Sequence, residues 1–193
     1  MRSPDDLSVI AFRSAAAWEE WLSEHHESAP GLWLKLAKAK SGVASVKPGE
    51  AVEVALCYGW IDGQSRSVDE TWWMHRYTPR RAKSIWSRIN REKVGELIDA
   101  GRMRPAGLRQ IELAKADGRW DAAYDSPRSA KVPEDLRREL DTRPAAAEFF
   151  ATLDANNRYA ILHRLQTARK PETRVRRIEK FVEMLERGEK LHP

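Results

Sequence analysis

The chain has 193 residues, 41% of them hydrophobic, which supports a real core without staples. Its single cysteine, Cys57, excludes an intrachain disulfide framework and suits a reducing compartment. The start, MRSPDDLSVIAF, carries acids where a secretory signal needs a basic region and an apolar run. No segment approaches the ~18 consecutive apolar residues of a membrane span, so a cytoplasmic location without a membrane span is the expectation.

The formal net charge of +5 is unevenly spread. Residues 1–70 carry 7 Lys/Arg against 11 Asp/Glu, residues 71–91 carry 6 against none, and residues 92–193 carry 21 against 18. The acid-free stretch is the place to which an anionic partner is steered first.

In chain order, SVIAF reads as a short strand. Ser14 follows as an N-cap, and Trp18, Trp21 and Leu22 form the buried stripe of a first helix. GLWLKLA alternates Leu32, Leu34 and Leu36 against Trp33 and Lys35, the signature of a strand with one buried face. Pro48 opens a helix through Val52, Ala55 and Leu56 that Gly59 stops. WIDGQSRSVDETWWMHRY then predicts two extended segments around a polar connection, with Asp62-Gly63 as turn chemistry. From Pro79 the pattern turns helical. Thr78 and Pro79 read as N-cap and first helical residue, with Ser84 as the alternative cap, and Ile85, Trp86, Ile89, Val94, Leu97 and Ile98 fall on one apolar face ending at Gly101. Pro105 begins another helix that ends near Gly118. SPRSAKVP, residues 126–133, reads as an irregular linker with almost nothing to bury. Four helices follow: after Pro133, after Pro144, around a cap at Asn156, and after Pro171. The last carries Val175, Ile178, Val182 and Leu185 as its docking stripe, and its basic residues alternate with acids as on a solvated face.

The expected fold is α+β: a small mixed or antiparallel sheet with helices in the N-terminal half, and an all-helical C-terminal half. The division is 1–125 for the α+β domain, 126–133 for the linker and 134–193 for the helical region. Trp18, Trp21, Trp60 and Trp86 are expected inside.

The phrases ALCYGWIDGQSRSVDE, YTPRRAKSIWSRIN and GRMRPAGLRQIELAKADGRWDAAYD, with the tail RYAILHRLQTARKPETRVRRIEKFVEMLERGEK, resemble the YdeI/OmpD-associated family, also called bacteriocin-protection proteins. The likeness runs over nearly the whole chain. It implies a setting of protection against antimicrobial peptides and association with a porin; it implies no reaction and no catalytic residues.

The residues themselves offer one concentrated candidate. In WWMHRYTPRR, a strand places Trp72, Met74, Arg76 and Thr78 on one face and Trp73, His75 and Tyr77 on the other, and large aromatics in such a strand mostly serve a core. Arg80 and Arg81 in a first helical turn oppose the helix dipole by ~0.3–1 kcal/mol each, which nearby carboxylates or a bound anion would offset. The expected binding set is therefore Asp62, Gln64, Arg66, His75, Arg76, Tyr77, Arg80, Arg81 and Trp86, with Arg76, Arg80 and Arg81 as the rim of a shallow basic pocket near Asp62 and Gln64. Asp62 serves equally well as a turn residue. Cys57 lies among apolar neighbours as an inert packing residue.

No C-x-x-C, H-E-x-x-H, P-loop, G-x-G-x-x-G or G-x-S-x-G occurs, so no metal, cofactor or catalytic residue is expected. Three functions remain open. The first is a cytoplasmic, non-enzymatic binding or stress-protection protein with an anionic small-molecule or protein partner. The second is a nucleic-acid or nucleotide binder using arginine planes and tryptophan rings. The third is an enzyme on a small anionic substrate, with Asp62 or His75 as acid/base.

Overall fold

A computed structural model describes residues 7–193 of the chain. The elements run β1 (Val9–Ala11), α1 (Ala15–His25), β2 (Leu32–Ala37), α2 (Pro48–Cys57), β3 (Trp60–Ser67), β4 (Trp72–Pro79), α3 (Arg88–Asp99), α4 (Pro105–Ala116), α5 (Glu134–Asp141), α6 (Pro144–Thr152), α7 (Ala155–Gln166) and α8 (Pro171–Glu186). The class is α+β. The chain divides into two compact units: residues Met1–Ser84 with Asn90–Asp121, and residues Ile85–Ile89 with Ala122–Pro193.

In the first unit the sheet order is β1-β2-β4-β3, with β1 parallel to β2 and the other pairs antiparallel. The leucine alternation in β2 sends Leu32, Leu34 and Leu36 to a fully buried face. Opposite them in register on β4 stand Tyr77, His75 and Trp73. α1 covers this face with Trp18, whose ring meets Trp60 and Tyr77 edge-on at 6.2 and 5.7 Å and stacks on Trp21 at 5.5 Å. Ser14 caps α1 as expected, its hydroxyl accepting from Ala17 N at 3.2 Å. Trp18 and Trp60 are buried and their indole N–H groups donate to Ala51 O and His26 O, which satisfies the polar edge that a buried tryptophan carries. Trp21 is less deeply buried than Trp18 and Trp60 but still lies in this stack, with ring contacts to Phe12, Trp18 and Trp60.

Two glycines set how closely α4 lies on α2. A Cβ at Gly107 would stand 2.3 Å from the Cys57 carbonyl oxygen, and one at Gly59, where φ is +73°, would stand 2.9 Å from Ala106 O. Backbone therefore meets backbone there, and no larger residue fits without moving a helix. Around this contact Glu53 holds Lys93 at 2.8 Å and Arg102 at 3.2 Å, and the Lys93 hydrogen bond is the main reason its carboxyl titrates below the usual range.

Three expectations fail in this unit. Asp62-Gly63 is not a turn: both residues lie inside β3, at a bulge where one extra residue is absorbed between Asp62 and Ser65. The hairpin instead reverses at Asp69, whose carboxylate accepts from Thr71 N and Trp72 N at 2.8 Å each. No helix starts at Pro79 or Ser84. Residues 80–87 are irregular, Ser87 bridges to Tyr124, and α3 begins only at Arg88. The expected broad apolar face reduces to Val94 and Leu97, since Ile85, Ile89 and Ile98 are exposed.

The second unit is built on a mainly aliphatic core that includes Leu136, Phe150, Ile161, Leu165, Phe181, Val182 and Leu185. The cap of α7 is Asp154, two residues before Asn156, its carboxylate accepting from Asn157 N at 2.8 Å. Ile178, Val182 and Leu185 dock α8, while Val175, counted in that stripe from the sequence, is exposed. Residues 126–133 contain no helix, but Ala130 and Val132 pack on the core, so the stretch does bury something. Among the described residues no helix is long and apolar enough to cross a membrane.

Candidate functional site

The β3–β4 hairpin carries most of the expected binding residues, and strand alternation sorts them onto opposite faces. On the helix-covered face, Asp62 is in register with Tyr77, and Ser65, beyond the bulge, with His75. His75 Nε2 lies 3.1 Å from Gly63 O and 3.6 Å from Asp62 Oδ2, while its Nδ1 is buried without a partner. Tyr77 is fully buried, and its hydroxyl also lacks a partner. Burial first, and then the Asp62 charge, push the phenol's ionisation far upward. Tyr77 is enclosed, with the Trp18 ring centroid 5.7 Å away, whereas His75, 5.5 Å from the Trp73 ring, and Asp62 keep 16% and 31% of their side chains exposed, so solvent reaches the outer part of the cluster. The arrangement is a polar seam in an aromatic core.

The other face is different. Here β4 contributes Trp72, Met74 and Arg76, β2 contributes Trp33 and Lys35, and β3 contributes Arg66. Arg76 is paired with Trp33 and Arg66 with Met74, which in turn faces Lys35. The Arg66 guanidinium lies 4.6 Å from the Trp33 ring centroid and the Lys35 ammonium 4.7 Å from that of Trp72, both cation–π distances. The Arg76 side chain crosses Gly63, where a Cβ would sit 3.5 Å from its Nε, and that Nε is buried with no hydrogen-bond partner. No Asp or Glu occupies a strand position on this face, because the bulge turns Asp62 to the other side.

The remaining expected residues do not join either set as a rim. Gln64 is exposed at the bulge. Arg80 is buried, only 6% exposed, with its backbone N–H donating to Gly59 O at 2.9 Å. Arg81 is exposed in the irregular stretch, its N–H held by Ser84 Oγ at 2.9 Å. Trp86 is buried and belongs to the second unit. Arg76, Arg80 and Arg81 therefore do not share one rim. Sequence reasoning missed Trp33, Lys35 and Trp72 as site residues; the signal was the alternation in GLWLKLA, which marks Trp33 and Lys35 as sharing a face. Cys57 is buried, and burial raises its thiol pKa, which agrees with inert packing. Among the described residues no group of His, Cys, Asp or Glu is arranged to hold a metal ion.

Residues 10–110, just over half of the chain, match the family model described as a domain of unknown function, DUF8412. The chain belongs to that family. Both faces of the hairpin lie within the matched segment. Residues 129–188 match a second model, described as bacteriocin-protection, YdeI or OmpD-associated. The resemblance carried by the RYAILHRLQ…ERGEK tail thus holds for the helical unit, whereas GWIDG and TPRR..SIWS lie in the DUF8412 segment. No curated protein and no solved structure matches the chain.

Proposed function

We propose that the chain is a non-enzymatic binding protein of the bacteriocin-protection type, and that the basic sheet face of its DUF8412 segment receives an anionic ligand or partner. The observation that carries this reading is Arg76, a cation with a buried, partnerless Nε on a strand face without a carboxylate. Arg66 and Lys35 lie on the same face, each supported by a tryptophan ring, so three cations point one way from a rigid sheet. A cationic peptide would be repelled by this face, so any protective role through it runs by way of an acidic partner. Nucleic acid is the second reading, favoured by the alternation of cations and rings. Trp33, however, is 2% exposed beneath its neighbours, which leaves phosphate contact rather than base stacking as the chemistry on offer.

The test is a titration of the whole chain with polyglutamate, inorganic polyphosphate and single-stranded DNA at low and high salt. Binding to at least one polyanion is expected, weakening steeply with salt. The Lys35→Ala/Arg76→Ala variant should bind at least ~10-fold more weakly, which corresponds to ~1.4 kcal/mol. Absence of binding at low salt, or equal binding by the variant, overturns the reading. Robust turnover of phosphoesters, nucleotides or acyl esters would overturn its non-enzymatic part.

A further inference from the structure

Helix α4 has two faces of different character. Gly107, Ile111 and Ala114 are buried, and Gly107 lies directly on the end of α2. The other stripe is Pro105, Leu108, Arg109, Glu112, Leu113 and Ala116, at the i, i+3, i+4, i+7, i+8, i+11 spacing of one continuous helix face. These residues line a shallow groove of about 720 Å³. Leu108 is 41% and Leu113 56% exposed, an unusual placement for two leucines that share a stripe.

The order of residues in this stripe says what covers it. Counted outward from the helix midpoint between Gln110 and Ile111, Arg109 mirrors Glu112, Leu108 mirrors Leu113, and Pro105 mirrors Ala116. Two identical helices packed antiparallel about a two-fold axis bring each residue opposite its mirror position. Apolar then meets apolar, and each arginine meets a glutamate. A parallel pairing would set Arg109 against Arg109 and Glu112 against Glu112, and a partner of unrelated sequence would have no need of the mirror order.

We infer that α4 is the contact helix of a homodimer, seated antiparallel on the α4 of a second copy, with Leu108–Leu113 contacts flanked by Arg109–Glu112 pairs. The present partners of these charges are exposed: Arg109 with Glu27 at 3.2 Å and Glu112 with Lys115 at 3.2 Å. Exchanging them across the axis is therefore nearly free of cost. A 12-residue helix is ~18 Å long, so the interface it makes alone sits at the small end of specific interfaces and the dimer is concentration-dependent.

Sedimentation velocity of the full chain from low to high micromolar concentration tests this. A weight-average mass rising toward twice the monomer is expected, and Leu113→Asp, at an exposed position and with its folding checked by circular dichroism, should remain monomeric throughout. Arg109→Glu alone and Glu112→Arg alone should each weaken association by at least ~10-fold, and the double variant, which restores opposite charges across the axis, should recover most of the loss. A monomer at every concentration, association indifferent to Leu113→Asp, or single-variant losses without recovery in the double variant would each overturn the inference.

Discussion

In the helical unit, the polar side chains of Asn157 and Arg174 meet groups placed to answer them. Asn157, only 1% exposed, gives its amide to Asp154 at 2.9 Å and takes the His192 N–H at 2.9 Å. Arg174 holds both oxygens of Asp135, at 2.5 and 2.9 Å, and the Leu165 carbonyl at 2.8 Å. On β4 of the sheet unit, three consecutive residues each keep a buried atom unanswered: His75 Nδ1, Arg76 Nε and Tyr77 Oη. Arg158 Nε in the helical unit is likewise buried without a partner, although the same guanidinium donates through Nη2 to Ala151 O at 3.0 Å. Unpaired donors and acceptors cost stability, so the run of three on β4 is a local weakness of the sheet unit.

The cores differ as well, and truncation should show it most strongly. Trp18 touches Phe12, Trp21, Trp60 and Tyr77 and donates to Ala51 O, so Trp18→Ala removes ring contacts and a buried hydrogen bond together. It should destabilise by ~3–5 kcal/mol, at the upper end of the ~2–5 kcal/mol expected of Leu165→Ala in the mainly aliphatic core. Urea unfolding of both variants, with near-ultraviolet circular dichroism as a second probe, checks this. An equal or smaller loss for Trp18→Ala would mean that the aromatic stack contributes little beyond the area it buries.

The Arg174–Asp135 pair should come next. The hydrogen bond from Arg174 is the main cause that lowers the Asp135 carboxyl below its ordinary range. A depressed folded pKa gives stability that is present above the unfolded value of about 3.9 and is lost as pH falls through the folded value. Both side chains are about a third exposed, which reduces the worth of the pair to ~1–2 kcal/mol. Asp135→Asn should therefore melt below the parent at pH 6, and the gap should close as pH drops below about 4. A gap that stays constant down to pH 2 would show that the destabilisation comes from altered packing and not from the charge.

Much of the fold was legible because proline and glycine punctuate it. Pro48, Pro105, Pro144 and Pro171 each occupy the first turn of a helix, and Gly59, Gly101 and Gly118 have the positive φ that ends one. What was illegible depends on partners distant in sequence. SIWSRI fits a helical period, yet Ser87 is bridged to Tyr124, whose N–H donates to Trp86 O at 3.0 Å and whose carbonyl accepts from Arg88 N at 2.9 Å. Which of the expected residues share a face depends on register. A strand fixes which residues share a face only relative to its neighbours, and the single extra residue at Gly63–Gln64 sends Asp62 inward and Arg66 outward. Asp62 and Arg76 thus lie back to back, and Lys35 joins the basic face through a β2 pairing that local sequence does not encode.

The smallest expected effect bears most directly on the comparison. Tyr77→Phe removes a hydroxyl that is fully buried and unpartnered while leaving the ring against Trp18 and His75. A satisfied buried tyrosine loses ~0.5–1.5 kcal/mol when its hydrogen bond is deleted, whereas an orphan hydroxyl costs its desolvation, so its removal is neutral or stabilising by up to ~1 kcal/mol. The same change removes the group whose ionisation burial and Asp62 push upward, so the variant should show no altered pH dependence between pH 5 and 9. Thermal melts of Tyr77→Phe beside Tyr159→Phe sharpen the contrast, because Tyr159 Oη donates to Asp125 O at 2.9 Å and its loss should lower stability. If Tyr77→Phe destabilises as much as Tyr159→Phe, the β4 phenol has a partner in solution, and the polar seam of the sheet is as well satisfied as the helical unit.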